Sequence, residues 1–197
     1  MIRTLLLILS FAFFADQSAR YGEVILASNH LLLQLVSFAA FFLDGYAFVV
    51  EALVGKARGA GRVGLFRLAV FRSTVLAAAT AGMLALLLVF GGTALIALLT
   101  DIEAVREASM PMLGFAAVYV AVSFAAFQLD GIFIGLSATR EMRNASIHSI
   151  VVYFVAWSLL APAFGVAGLW AAMIIYVIAR AAALGRYYPR LNRVIAG

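Results

Sequence analysis

The stretch Val75–Leu99 reads VLAAATAGMLALLLVFGGTALIALL, and no charged residue interrupts the chain between Arg72 and Asp101. A helix needs about 20 apolar residues to cross the hydrocarbon core of a bilayer. The run supplies them. It reads as part of a membrane helix over Leu65–Phe90, with a continuation past Gly91-Gly92 to Leu99 left open. The whole chain has the same character. Of its 197 residues, 66% are hydrophobic and 12% charged, and the mean hydropathy is +1.10. Soluble domains hold about 45–50% apolar and about 25% charged residues, so a water-soluble globule is excluded. Disorder is excluded by the same numbers, because disordered chains are polar and highly charged. Three prolines, 16 glycines without a period and no cysteine rule out collagen-like, disulfide-stapled and thiolate-metal readings. The fold class is an all-α integral membrane protein.

Working outward from that helix, five more apolar segments appear: Ile2–Ala19, Val24–Gly55, Ser109–Ser137, Ala145–Ala161 and Gly168–Leu184. The connections are short, and no Pro/Ser-rich linker divides the chain, so residues 1–197 form a single membrane domain. Asp101–Glu107 reads as a polar connector ahead of the fourth helix. Pro162, Gly165 and Gly168 punctuate the last turn, which makes the fifth and sixth helices antiparallel neighbours. Alternation of six spans places Arg3, Lys56, Arg58, Arg62, Arg67, Arg72, Arg140, Arg143, Arg180, Arg186, Arg190 and Arg193 on one side. Those are 12 of the 14 basic residues, leaving Arg20 and Arg106 opposite. The excess of basic residues in cytoplasmic loops predicts that both termini are cytoplasmic, in the plasma (inner) membrane. The net charge of +5 has the same origin, and no nucleic-acid partner is expected. A rival reading takes Arg3 and Leu5–Phe14 as a secretory signal, but Ala15–Ala19 offers no clean small-x-small cleavage site.

Three acids stand inside apolar segments: Asp44, Glu51 and Asp130. A charge at the bilayer centre costs at least about 2.5–3.5 kcal/mol, and such residues mark ion or substrate paths. These three are the candidate ion- or proton-coupling residues. A monovalent cation near Asp130 is considered; no other metal or cofactor is expected. His30, Gln34, Ser37, Asp44 and Glu51 recur at steps of four, three, seven and seven, and Tyr119, Ser123, Asp130 and Ser137 recur similarly. Residues so spaced share one face of a helix. Gln34, Ser37, Tyr119 and Ser123 are therefore candidate polar cavity residues, with interhelical packing as the alternative role. Glu51, five residues before Lys56, has a second alternative, in which it reaches the cytoplasmic surface. The segments Ser37–Gly45 and Ser123–Gly131 match at eight of nine positions, so both aspartates are followed by glycine. Asp44 lies about 18 Å before Lys56 and Asp130 about 15 Å before Arg140, which predicts comparable depths near the midplane. His30 and His148 have no metal-site spacing, and no nucleophile–base pair stands out, so no enzyme is expected.

The runs Leu43–Arg62, Leu129–Gly135 with Thr139–Asn144, Pro162–Trp170 and Thr4–Leu26 resemble multidrug and toxic compound extrusion (MATE) transporters. They are most similar to the DNA-damage-inducible protein F subfamily, and the resemblance covers its second half only. It implies one six-helix lobe of a twelve-helix antiporter, with the first lobe and that lobe's first-helix aspartate absent. The resemblance implies export of organic cations or amphiphilic small molecules in exchange for protons or sodium. Asp130 matches the tenth-helix acid assigned to cation coupling in related branches. Asp44 and Glu51 match the eighth-helix pattern, while Asp16 is a poor match to the seventh-helix acid. The expected partners are membrane lipids, a small-molecule substrate, and a second six-helix lobe or a homodimer partner. Two alternatives remain: a non-transporting remnant or assembly partner, and a lipid-precursor flippase of the same superfamily. The flippase ranks lower because the arginines fall at helix ends in this reading.

Overall fold

The computed structural model describes residues 2–196, without the side chains of residues 2 and 192–196, so the side chain of Arg193 and the whole of Gly197 lie outside the described residues. Six helices follow one another: α1 (Ile2–Ala19), α2 (Glu23–Gly59), α3 (Val63–Leu99), α4 (Glu103–Gly135), α5 (Thr139–Phe164) and α6 (Val166–Ala196). Helices α2 to α6 are each long and apolar enough to cross a membrane. Helix α1, with 18 residues, rises about 27 Å. The chain is a multi-pass membrane protein.

The helices outrun the apolar segments that announce them. Helix α3 passes straight through Gly91-Gly92 to Leu99. Helix α4 starts at Glu103, so most of the expected polar connector is its first turn. Hydropathy ends where a segment leaves the oily layer, whereas backbone hydrogen bonding continues into water. An acid in the first turn also suits the positive end of the helix dipole. At the other end α4 stops at Gly135, and Ser137 lies in the turn beyond it with φ 55°, off the seam expected to include it. The last turn is likewise tighter than Pro162 and Gly168 suggest. Helix α5 runs through Pro162 to Phe164, and Gly165 alone, at φ +60°, reverses the chain. Gly168 belongs to α6, where the carbonyl of Leu160 occupies the space a Cβ would need.

Helix α4 is the hub, packed against α2, α3 and α6, while α5 and α6 form the expected antiparallel pair. Helix α1 lies across α5 and α2. Helices α2, α4 and α6 run one way and the others run back. The parallel pair α2–α4 approaches most closely at two glycines: the carbonyl of Ala47 sits against Gly131 and that of Glu51 against Gly135. Two apolar cores result. The larger holds Phe14, Leu32, Ile96, Trp170, Met173 and Tyr176. The smaller, with Val50, Val54, Phe66, Phe133 and Leu184, lies near the basic loops.

Polar groups stitch the helices where water is excluded. The Trp170 indole donates to Asn29 Oδ1 at 2.9 Å, and Asn29 donates to Ser18 Oγ at 2.9 Å. Ser18 returns its proton to the carbonyl of Phe14. The hydroxyls of Ser28 and Ser109 share a bond at 3.0 Å between α2 and α4. Such bonds satisfy groups that hydrocarbon cannot. Arg58 donates to the carbonyl of Leu136, one of the acceptors left free at the end of α4. Phe14 packs edge-on against Trp170, so the segment with a rival signal-peptide reading is part of the core.

Candidate functional site: a charged cavity between four helices

A cavity of about 510 Å³ opens between α1, α2, α4 and α6. Helix α2 contributes Ser37, Phe41, Asp44, Phe48 and Glu51. Their spacing of four, three, four and three is one face of a helix, as the sequence pattern requires. That face is open: Phe41 is 76% and Phe48 67% exposed. Helix α4 adds Tyr119, Ser123 and Asp130, all buried in the wall. Among the candidate residues, Gln34 alone stands outside. It is exposed on the same side of α2, but the cavity ends at the level of Val36 and Ser37, one turn short of it. His30 and His148 are exposed as well, and among the described residues no group of three or more metal-capable side chains exists.

The charges are arranged differently from the sequence expectation. Oδ2 of Asp130 accepts from two guanidiniums, Arg180 of α6 and Arg3 of α1, the latter at 3.0 Å. Arg180 is itself buried, with 8% of its side chain exposed. The other carboxylate oxygen, Oδ1, is buried without a partner. Two positive charges thus stand beside Asp130, where a bound monovalent cation would have to compete with them. Asp44 and Glu51 line the same cavity, half-buried, and neither has an ion-pair partner among the described residues. Ser123 donates to the carbonyl of Tyr119 at 2.6 Å, so its hydroxyl proton is committed within its own helix.

Arg180 and Arg3 went unnoticed in the sequence because charge bookkeeping grouped them with the cytoplasmic arginines. A signal was present. Arg180 lies inside the apolar run Gly168–Leu184, and an arginine within one span and an aspartate within another each need a counter-charge. Tyr176, one turn before Arg180 on the cavity side of α6, was missed with it. The crossing of α2 and α4, with the carbonyl of Ala47 against Gly131 and that of Glu51 against Gly135, puts Asp130 within about one helical turn of the level of Asp44, while α2 continues beyond the end of α4.

A family model, MatE, matches residues 1–159, four-fifths of the chain, from α1 through most of α5. The chain belongs to the MatE family. Among MatE-related proteins, DNA damage-inducible protein F of Escherichia coli (strain K12) is 34% identical over 194 residues. The alignment takes in 96% of this chain and 41% of that protein, so the chain spans about two-fifths of the relative's length. The MatE match contains Arg3, Asp44, Glu51 and Asp130; Arg180 lies beyond its last residue.

Proposed function

We propose that the chain is the second six-helix lobe of a secondary active antiporter that exports organic cations or amphiphilic small molecules in exchange for protons or sodium. The observation that carries this reading is the cavity face of α2, where Asp44 and Glu51, with no ion-pair partner among the described residues, stand between exposed phenylalanines. Carboxylates set among aromatic rings suit a cation with an apolar body, through charge and ring faces together. Ionised groups are not stable against lipid, so this open face calls for a covering partner. In this reading the partner is the other six-helix lobe, or a second copy of the chain, and the cavity is one half of the translocation path. The protein resides in the plasma (inner) membrane with both termini cytoplasmic, supported by Lys56, Arg58, Arg62, Arg67 and Arg72 around the α2–α3 turn. Asp130, tied to Arg3 and Arg180, is the natural coupling element. Neutralising it frees both guanidiniums and loosens α1 from α4 and α6.

One observation favours a second reading. Arg180 lines the cavity from the middle of α6, and Arg3, in the first turn of α1, lines it too, so arginines at helix ends alone do not rank a lipid-precursor flippase low. Against it, both guanidiniums are engaged by Asp130.

The test is transport in proteoliposomes holding this chain alone, or together with a first lobe taken from a full-length family member. A lipophilic cationic dye should move against an imposed pH or sodium gradient when both lobes are present. Gradient-independent dye distribution in correctly inserted two-lobe vesicles overturns the antiporter reading in favour of a non-transporting role. Selective movement of a short-chain lipid pyrophosphate moves it to the flippase.

A further inference from the structure

A second concavity, of about 440 Å³, lies at the basic end of the bundle, bounded by Arg3 and Thr4 of α1, Ile134 of α4, and Thr139, Arg140 and Arg143 of α5. We propose that it binds a phosphate group, as the free anion or as the headgroup of an anionic phospholipid. Three arginines and two threonines line one hollow, and no acid lines it. Glu141, on the first turn of α5, is not in its lining, and Asp130, which pairs with Arg3, lines the main cavity instead. Arg140 has no hydrogen-bond or ion-pair partner among the described residues. Arg143 reaches only the side-chain oxygen of its neighbour Asn144, at 3.2 and 3.3 Å. Arg58, at the same end, is instead engaged on the carbonyl of Leu136.

The hollow also stands at the start of a 26-residue helix whose first turn has no side-chain cap. The positive end of that helix adds to the arginines. Guanidinium forks match the oxygens of a phosphate, and hydroxyls complete its shell. The site lies at the end of the bundle where lipid headgroups and the aqueous phase meet, so either source can reach it. Arg3 lines both hollows, and a phosphate held here competes with Asp130 for its guanidinium. The binding itself does not depend on whether the cavity transports.

The experiment uses the full chain in an uncharged detergent. Inorganic phosphate is titrated by calorimetry, and phosphatidylglycerol retention is read by native mass spectrometry. The variants are Arg140→Gln/Arg143→Gln together, both exposed, and Arg72→Gln, an exposed arginine on α3, as the control. Thermal unfolding checks that all three proteins are folded. Binding of either probe should fall by at least about tenfold in the double variant and change by less than about twofold in the control. Binding of phosphate identifies a free-anion site, and retention of phosphatidylglycerol without phosphate binding identifies a headgroup site. Binding of neither probe, or equal binding by the double variant, overturns the proposal.

Discussion

Asp130 and Asp44 sit in matching nine-residue motifs, yet the structure gives them different work. Asp130 is the counter-charge of a buried arginine. In the sequence alone, Asp130→Asn looks like a test of charge with folding intact. With Arg180 beside it, the same substitution leaves a buried guanidinium unpaired. Breaking a buried pair from one side costs about 3–5 kcal/mol. Asp130→Asn should therefore lower thermal stability in detergent by an amount of that order. Adding Arg180→Gln should restore much of it, so that the double variant is more stable than the sum of the single losses. Additive losses in that cycle would show that the pair is not coupled. Among the described residues Asp44 has no such partner. Asp44→Asn should leave unfolding within about 0.5 kcal/mol of the parent, as for a side chain in an open cavity. Dye export by the assembled transporter should fall at least about tenfold. Unchanged export would remove Asp44 from the substrate path.

Between helices, the two glycines of the repeated motif separate as sharply as the two aspartates. Nothing lies within 4 Å of where a Cβ on Gly45 would stand. A Cβ on Gly131 meets the backbone carbonyl of Ala47 and a methyl of Val50, and backbone cannot swing aside as a side-chain tip can. Gly131→Ala should force α2 and α4 apart and cost about 1–3 kcal/mol, the usual range for overpacking. Gly45→Ala should be neutral or stabilising, since alanine is the better helix former by about 1 kcal/mol. Unfolding midpoints of the two variants in the same detergent check this, and equal midpoints would contradict the close crossing. The crossing lies beside the smaller core, to which α2 through α6 all contribute, and it holds the wall that carries Asp44 against the wall that carries Asp130. The polar bonds of Asn29, Ser18 and Trp170 fasten the opposite end in the same way.

Across the whole molecule, charge is sorted by end. The α2–α3 turn with Arg58 and Arg62 lies at one end, and Asp101, Glu103 and Glu107 lie at the other. Cysteines introduced at Gly61 and Thr139, both exposed at the basic end, should resist impermeant thiol reagents in intact cells, and one at Glu103 should react. Labelling at position 61 would invert the orientation. The open face of α2 makes a second prediction at this scale. Phe38, Phe41, Phe42 and Phe48 are exposed around two half-buried acids, a surface that suits a protein partner better than lipid. A cysteine at Phe41 should form cross-links to a co-expressed first lobe, or between two copies of the chain. A monomer in mild detergent, with no cross-link under either condition, would leave those acids in lipid and count against the lobe assembly.

Hydropathy and periodicity are local properties, and by themselves they determined the membrane class, six helices in order, their alternation, the antiparallel pair α5–α6 and the polar face of α2. The bounds of α1 were legible to the residue. Helix ends elsewhere were not, because helical hydrogen bonding does not stop where apolar composition does. Only the tertiary structure decided which acid is neutralised, which glycine is a crossing point and which seam residue falls outside the cavity. Nearly identical nine-residue segments cannot differ in local preference. What separates them is the neighbours they meet: for Asp130, arginines 50 residues ahead and more than 120 behind in the chain; for Gly131, the backbone of Ala47. Those contacts arise from the packing of whole helices around α4, and no window of sequence contains them.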